Sequence, residues 1–452
     1  MEDEGIAAML TTPDSIRTLQ RKLYRKAKQE PAFRFYALYD KVYRADILNH
    51  AYHRVRANKG GAGIDGVTFK AVESGEGVSA FLTKLKQALE DKSYVPSPVK
   101  RVMIPKQDGS KRALGIPTIR DRVAQMAAKL VIEPIFEADF CNTSYGFRPK
   151  RSAHDAVDDI SIALNCGYTR VIDADISKYF DTIAHAKLMS AVAERIADGA
   201  VLHLIKMWLK APVVEEDEDG TKRNSGGGKA NRQGTPQGGV ISPLLSNLYL
   251  HQLDRLWCRG QLQKHLQARL VRYADDFVVL CRKGTRRPLA VVRQVLEQLG
   301  LRLNERKSQV VDARQAGFDF LGFELRMLKS ERTGGCYAHV QPSRKSLQQI
   351  KDRITALTDR RMSLLPLPLI IKRVNTALEG WVGYFHFRNC SRSMLKLKVH
   401  AEQRVQIHLG RRHKRRGIMA SYRSFPCRSL YKKFELYKVP TTAGWTGAHA
   451  LR

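Results

Sequence analysis

The spacing of apolar positions changes along the chain between the period of an α-helix and that of a β-strand. Helical spacing predicts helices in seven segments, namely 14–58, 79–92, 120–138, 184–210, 240–258, 286–299 and 343–408. Short apolar runs and turn residues predict strands at 101–112, 171–176, 270–280 and 318–323, and a hairpin at 211–233. Short strands that alternate with long helices predict an α+β core.

The apolar run 270–280 is interrupted at its centre by Tyr273, Ala274, Asp275 and Asp276. Two strand-like halves around this centre predict a β-hairpin with acids at its turn. Turns that present paired acids are often strained, so we expect an unusual backbone dihedral at Ala274. An isolated pair of aspartates is usually a solvated turn, but like charges held together also favour a bound cation, and carboxylate oxygens suit Mg²⁺.

A second acidic strand lies upstream, at 171–176. Asp173 and Asp175 are two residues apart, so their side chains share one face of the strand. Either acid together with the hairpin pair would form a cluster of three carboxylates. Two cations about 3.5–4 Å apart on such a cluster can clamp the attacking and leaving oxygens of a phosphoryl transfer.

The charge balance points to a polyanionic partner. The 452 residues include 78 Lys and Arg against 44 Asp and Glu, a formal net charge of +34 that is spread along the chain. Neutralising phosphates with such side chains releases counterions, so the composition predicts nucleic-acid binding. The length suggests two or three domains, and 43% hydrophobic residues are enough for packed cores.

Cysteine usage and the N-terminus exclude some classes of protein. The seven cysteines contain no C-x-x-C pair, which argues against a paired zinc site and against a disulfide framework, and reduced thiols are expected. The N-terminus is acidic and has no apolar segment, and no run of 18 apolar residues occurs. We therefore expect no signal peptide and no contact with a membrane.

Several motifs together resemble one protein family. The segments 175–181 (DISKYFD) and 273–276 (YADD) resemble the palm of reverse transcriptases. Further segments narrow the resemblance to group II intron reverse transcriptase/maturases: 58–66 (NKGGAGIDG), 104–106 (IPK), 115–122 (GIPTIRDR), 144–149 (SYGFRP), 234–247 (GTPQGGVISPLLSN), 303–308 (LNERKS), 320–323 (FLGF) and 380–385 (GWVGYF). The match runs from about residue 45 to 390 with the motifs in the family's order.

The resemblance implies a right-hand polymerase, with fingers and an antiparallel palm sheet followed by an α-helical thumb. It implies an RNA-contacting helical N-terminal extension at 1–85, fingers and palm at 86–328, and a thumb (maturase, or X, domain) at 329–408. The basic tail 409–452 is expected to be either a solvated, disordered segment or a remnant DNA- or RNA-binding region. No endonuclease domain is expected, because Cys390 and Cys427 stand alone; this is similar to the compact class associated with group IIC introns.

The resemblance assigns the metal site. It implies that Asp175, Asp275 and Asp276 are the catalytic carboxylates and that the Ile176 carbonyl is an additional metal ligand. The expected cofactor is a pair of Mg²⁺ ions, with Mn²⁺ as a substitute. Asp173 remains an alternative to Asp175.

The resemblance also implies contacts to the incoming dNTP. Lys106, Arg112 and Arg122 are expected to bind its triphosphate, since Arg offers bidentate contact and Lys a point charge. Phe180 corresponds to the aromatic ring that excludes a ribose 2′-hydroxyl, and Gln237 to a residue that borders the sugar.

Two further motifs imply contacts to the pyrophosphate leaving group and to the primer. Lys307 corresponds to a lysine that protonates pyrophosphate, and Leu321 with Gly322 corresponds to the primer grip.

The resemblance thus implies an RNA-directed DNA polymerase that binds its intron RNA, assists splicing and acts during intron mobility. Its expected partners are group II intron RNA, an RNA template with a DNA primer, dNTPs and target DNA, in the bacterial cytoplasm with activity at the nucleoid. Two alternatives remain open: a splicing-only maturase whose polymerase has lapsed, and another bacterial reverse transcriptase of the retron or defence type. The three acids speak against the first, because a lapsed polymerase is expected to lose them.

Overall fold

A computed structural model of the chain describes residues 11–105, 109, 111–216, 219, 221–259 and 261–445. The helices in the first 265 residues are Asp14–Gln29 (α1), Tyr39–Val42 (α2), Ala45–Ala57 (α3), Phe69–Ser74 (α4), Gly77–Glu90 (α5), Ile119–Glu137 (α6), Ala153–Asn165 (α7), Tyr179–Thr182 (α8), His185–Ala193 (α9), Gly199–Leu209 (α10), Ser242–Arg259 (α11) and Leu262–His265 (α12). The later helices are Arg286–Leu299 (α13), Arg344–Leu357 (α14), Leu367–Phe385 (α15), Ser391–Arg412 (α16), Ile418–Ser424 (α17) and Cys427–Lys432 (α18), with a 3₁₀ turn at Arg360–Leu364.

The strands form three sheets. They are Val99–Pro105 (β1), Lys111–Ile116 (β2), Arg170–Ala174 (β3), Val213–Glu216 (β4), Lys222–Gly226 (β5), Ala268–Tyr273 (β6), Asp276–Cys281 (β7), Gln309–Asp312 (β8), Phe318–Phe320 (β9), Phe323–Lys329 (β10) and Cys336–Pro342 (β11). The palm sheet has the order β6-β7-β3-β8, the fingers sheet β2-β1-β4-β5, and the third sheet β11-β10-β9. The expected α+β fold with an antiparallel palm sheet is confirmed.

Strands β6, β7 and β3 of the palm sheet are largely buried on both faces, which explains why they are apolar without alternation, whereas the edge strand β8 is more exposed. Ile172 and Phe277 face a core shared with the N-terminal helices and the fingers. Val171 and Val278 face a second core formed with α7 and the third sheet. The acids begin where β3 ends and β7 starts, at the rim of this doubly covered sheet.

The second core depends on a helix that has no counterpart among the predicted segments. Ser152 and Asp155 form a capping box that starts α7, and its apolar side packs on the palm sheet. The predicted helix 184–210 is wrong in one respect, because it is interrupted between α9 and α10. Ile196 pairs there with Phe35 of the N-terminal segment, so a tertiary contact overrides the local helical pattern.

The predicted strand 318–323 is also wrong in part. It contains two strands, β9 and β10, joined by a turn at Leu321 and Gly322. Both turn residues have positive φ, +50° and +82° respectively, as a two-residue hairpin turn requires.

The thumb helices α14 to α18 enclose a third core. Helix α16 runs through the boundary expected between 408 and 409, and Leu430, Leu436 and Val439 are buried against it or its neighbours. An unstructured tail is therefore excluded for residues 409–445. Within the part of the chain that the structure describes, no helix is long and apolar enough to cross a bilayer.

Candidate active site

The β6–β7 hairpin ends in the acid turn, which we define as residues 273–276. Tyr273 pairs with Asp276, so Ala274 and Asp275 form a two-residue connection. Ala274 has φ = +58°, which confirms the expected unusual dihedral. The β3–β7 register pairs Ala174 with Phe277, and the next step along both strands brings Asp175 beside Asp276.

Asp175, Asp275 and Asp276 lie close enough together for the charge of Asp175 to raise the pKa of the other two carboxyl groups. Loss of water to the surrounding protein, and then the charges of Asp275 and Asp175, raise the pKa of Asp276 to about 6. The pKa of Asp275 is also raised, first by desolvation and then by Asp175, although Arg112 and Arg272 oppose the shift. The Asp276 side chain still reaches the surface of the cleft. Carboxyl groups with raised pKa values favour the binding of either protons or cations at this site.

Asp175 is held by the 303–308 segment. The Asn304 side-chain amide donates to Asp175 Oδ2 at 2.8 Å, and the Asn304 backbone N–H donates to the Asp175 carbonyl at 2.8 Å. The Asp175 backbone N–H donates to Ser308 Oγ at 3.2 Å, and Lys307 Nζ lies 3.9 Å from Asp175 Oδ2. The motif predicted a role for Lys307 but none for Asn304, whose amide holds the carboxylate in this orientation.

Asp173 occupies a different position along the same face. Gln309 donates to its carboxylate at 3.1 Å, and burial, followed by the charges of Asp175 and Asp319, raises its pKa. Its partner on β7 is Val278, two residues beyond Asp276. The register therefore favours Asp175 over Asp173 as the third acid of the site.

The donor chemistry of the site fits Mg²⁺, although the protein offers no complete cage. In the described part of the chain, no group of three or more His, Cys, Asp or Glu side chains is arranged to hold a metal ion as it stands. Mg²⁺ commonly binds through one or two carboxylates together with substrate phosphates. Asp175, Asp275 and Asp276 would supply the carboxylates, and the carbonyl of Ile176, the residue after Asp175, an additional oxygen.

Behind the acid turn lies a charged network that sequence reasoning missed. Arg272 is completely buried and forms an ion pair with Asp254, whose side chain is also buried. Burial opposes the charge on Arg272, but Asp254 more than compensates, so the pKa of Arg272 is raised. The only signal in the sequence is an arginine within an apolar strand, because a charge in such a place must be paired.

The fingers bring two of the predicted nucleotide-binding residues together. Arg112 Nε donates to Gln237 Oε1 at 2.9 Å, and the Gln237 carbonyl accepts from the Gly115 N–H at 2.5 Å. Because Arg112 also opposes the rise in the pKa of Asp275, it lies on the side of the fingers that faces the acids. Lys106 lies outside the described residues.

Arg122 is directed elsewhere. Its side chain donates to the Gly61 carbonyl at 2.5 Å, and its guanidinium lies 5.7 Å from the centre of the Phe69 ring. Burial lowers its pKa. These contacts join α6 to the glycine-rich segment 58–66, and none of them brings Arg122 to the acids.

Phe180 lies on the short helix α8, which begins five residues after the end of β3. Its ring packs edge-on against Tyr179 with the centroids 5.3 Å apart and remains partly exposed. The Phe180 carbonyl accepts from the Thr235 N–H at 2.8 Å, which ties α8 to the segment that carries Gln237.

The turn of Leu321 and Gly322 is bound to the thumb. The Leu321 carbonyl accepts from Tyr384 Oη at 3.0 Å, and the Gly322 carbonyl accepts from Ser343 N at 2.9 Å and from Ser346 Oγ at 3.0 Å. The structure thus connects the predicted primer grip to α14 and α15.

Comparison with known families and proteins agrees with this arrangement. Residues 104–325 match the family described as reverse transcriptase (RNA-dependent DNA polymerase), and residues 347–424 match the group II intron maturase-specific domain. Protein YkfC of Escherichia coli is 36% identical over 348 residues, which cover 69% of this chain and 88% of YkfC. The group II intron-encoded protein LtrA of Lactococcus lactis is 30% identical over 362 residues, 66% of this chain but only 57% of LtrA.

Among solved structures, the likenesses are distant. A telomerase from Candida albicans is 14% identical with a TM-score of 0.40, and the alignment covers 80% of this chain and 66% of the telomerase chain. A partial Cas6-RT-Cas1–Cas2 complex is 22% identical with a TM-score of 0.35, and the alignment covers 58% of this chain and 41% of that one.

Proposed function

The chain belongs to the group II intron reverse transcriptase/maturase family, and we propose that it copies RNA into DNA at the acid turn and binds intron RNA to assist splicing. Its RNA-directed DNA polymerase domain and its maturase domain follow from the family matches. The observation that carries the assignment of the site is the strand register, which brings Asp175 beside Asp276 at the acid turn.

We propose the following roles in nucleotidyl transfer. Two Mg²⁺ ions, or Mn²⁺ in their place, would lower the pKa of the primer 3′-hydroxyl and neutralise the pyrophosphate when they are bound. Asp175, Asp275 and Asp276 hold the ions, Asn304 keeps the Asp175 carboxylate in one orientation, and Lys307 lies on the same carboxylate with its ammonium largely exposed, where it can protonate the leaving group.

The dNTP would bind between palm and fingers. Arg112 would contact its triphosphate, while Gln237 and Phe180 would border its sugar, and the Phe180 ring would exclude a 2′-hydroxyl. Lys106 is proposed for the triphosphate from its motif alone. We give Arg122 a different role from the one expected: it binds the glycine-rich segment 58–66 and keeps the N-terminal extension against the fingers.

The thumb would hold the RNA–DNA duplex. An A-form duplex is recognised through phosphates and 2′-hydroxyls, which suits exposed cations such as Arg353, Lys372 and Arg373. Leu321 and Gly322 would support the primer end. Intron RNA and target DNA are the proposed larger partners, and a cytoplasmic location stays a prediction.

A primer-extension assay on an RNA template tests the polymerase. We expect cDNA from the wild type with Mg²⁺, and none above background from Asp275→Ala, because the variant lacks one of the three carboxylates. Undiminished synthesis by Asp275→Ala would refute the site, and an inactive wild type would favour the splicing-only alternative. Sequencing the RNA that co-purifies with the protein tests the partner: a single structured intron is expected, and random RNA contradicts it.

A further inference from the structure

The acid turn is held from inside the palm by one side chain. Arg272 Nη1 donates to the Ala274 carbonyl at 2.8 Å and to Asn247 Oδ1 at 2.9 Å. Its Nε donates to both carboxylate oxygens of Asp254, at 3.0 and 3.2 Å. The guanidinium therefore links a buried carboxylate on α11 to the backbone of the turn, one residue before Asp275.

The turn needs such a link because its backbone is strained. A non-glycine residue in the left-handed region costs about 1–2 kcal/mol, and Ala274 has φ = +58°. Its carbonyl points into the palm, where the guanidinium is the donor. Loss of that donor would leave a buried carbonyl unpaired and allow the turn to relax toward an ordinary conformation.

Asn247 connects Arg272 to the segment around Gly146, which packs against the acid turn. It accepts from Arg272 and donates through Nδ2 to the Gly146 carbonyl at 2.7 Å. A Cβ at Gly146 would lie 2.5 Å from the Ala274 nitrogen, so only glycine allows this approach. The Arg272 backbone pairs with the same segment, through the Thr143 carbonyl and the Tyr145 N–H, both at 2.8 Å.

Stability alone does not explain a charged pair at this depth. Replacing a buried ion pair with apolar side chains of similar volume is often neutral or stabilising. What an apolar pair cannot do is donate to three acceptors in a fixed planar arrangement, and lysine cannot do so either.

We propose that Arg272 is a positioning residue for catalysis: its guanidinium fixes the Ala274 carbonyl, and thereby the direction in which Asp275 and Asp276 present their carboxylates. The inference rests on the proposed polymerase function. It assigns a role to the arginine that precedes the Tyr273-Ala-Asp-Asp276 motif, outside the set of metal- and nucleotide-binding residues.

The test compares Arg272→Lys with a matched control, Arg195→Lys. Arg195 is also buried, pairs with Asp139 and donates to backbone carbonyls, including those of Ala27 and Phe33. It lies between α9 and α10 and binds the N-terminal segment rather than the acid turn. Both variants keep the positive charge and lose the planar fork. Thermal unfolding followed by circular dichroism measures the structural cost of each change.

Two measurements separate positioning from structural support. Steady-state kinetics with poly(rA)/oligo(dT) and dTTP should show kcat reduced about 10–100-fold in Arg272→Lys, with the KM for dTTP within about twofold. Hydrogen exchange of the peptide 270–281, measured without metal, should be faster in Arg272→Lys and unchanged in Arg195→Lys. Equal losses of kcat in the two variants, or unchanged exchange in this peptide, would overturn the proposal.

A milder variant covers the case in which Arg272→Lys does not fold. Asn247→Ala keeps the ion pair with Asp254 but removes the acceptor that helps to fix the angle at which the guanidinium meets the Ala274 carbonyl, and we expect kcat to fall about tenfold. Wild-type kinetics in that variant would overturn the proposal. A wild-type protein that makes no cDNA would instead refute the polymerase function, while the exchange measurement would still report whether Arg272 holds the turn.

Discussion

Two hairpin turns of this protein have the same length, and each begins with a non-glycine residue at positive φ, but different kinds of groups hold them in place. The acid turn is fixed from within the palm by a buried charged network around Arg272. The second turn, Leu321 with Gly322, is held by neutral hydroxyl and amide groups of the thumb. The two turns lie near each other, because Tyr384 donates to the Leu321 carbonyl and also lies close to Tyr273 of the acid turn. Burial, and then Tyr273, raise the pKa of Tyr384 to about 12.

The difference suggests that the two turns have different functions. A turn that holds metal-binding carboxylates requires a fixed geometry, which a fully paired network within one domain provides. A turn that supports a moving primer gains from a connection to the thumb, because the two can then follow the duplex together. Changes at the first turn should therefore alter the rate, and changes at the second should alter binding.

The largest loss of kcat is expected from a substitution of Asp175, which follows β3 and lies beside the acid turn. Asp175→Asn keeps the shape of the side chain but removes its charge, and kcat should fall at least about 100-fold because transition-state electrostatics are lost. The affinity for an RNA–DNA duplex should stay within about twofold of the wild type. Single-nucleotide incorporation and fluorescence anisotropy measure the two quantities.

The control for this change is Asp173→Asn, on the same face of β3. Asp173 already accepts from Gln309 and lies beside Val278 rather than Asp276, so the variant should keep most of its activity. A larger loss in Asp173→Asn than in Asp175→Asn would make Asp173 the third acid. It would also show that the strand register is a poor guide to the site.

An intermediate effect is expected at the second turn. A Cβ at Gly322 would lie 3.1 Å from both Phe385 and Ser346, whereas one at Gly334 would meet nothing within 4 Å, and both glycines have positive φ. Gly322→Ala and Gly334→Ala should each lose about 1–2 kcal/mol of stability from backbone strain. Only Gly322→Ala should weaken duplex binding, and equal binding by both variants would contradict the proposed primer grip.

The pair Asp275 and Asp276 was visible in the sequence because the two acids are adjacent between two apolar halves. Asp175 lies a hundred residues upstream and was assigned from the family resemblance, and a single strand pairing brings it beside Asp276. The paired acids at the turn also made the unusual dihedral at Ala274 predictable. The α+β fold followed from the alternation of segments, although α7 and the break between α9 and α10 did not, since both depend on contacts with distant parts of the chain.

The supporting residues could not be predicted in this way. The role proposed for Arg272 depends on Asp254 and Asn247, which lie on helix α11 and have no spacing relation to this residue of β6. Arg122 illustrates the same point. Its motif predicts contact with a triphosphate but gives no sign of its bond to the Gly61 carbonyl. A motif identifies residue types, whereas the direction of a long side chain depends on tertiary packing.

The smallest effect concerns the stability cost of the acid turn. The pKa of Asp276 is raised to about 6 in the folded protein, well above that of an aspartate in an unfolded chain, so the folded state binds more protons over this interval. The contribution of Asp276 to stability without metal should therefore fall as the pH rises from about 4 to 6. Asp276→Asn should lack this loss, and above pH 6 it should be more stable than the wild type by less than about 1 kcal/mol, because the side chain reaches solvent.

Asp312 should change stability with pH in the opposite direction. Its bond with Arg314 lowers its pKa, so Asp312→Asn should be less stable than the wild type above about pH 4. Urea unfolding in EDTA across this range checks both variants. If the stability of the wild type relative to Asp276→Asn does not fall between pH 4 and 6, Asp276 does not destabilise the folded state.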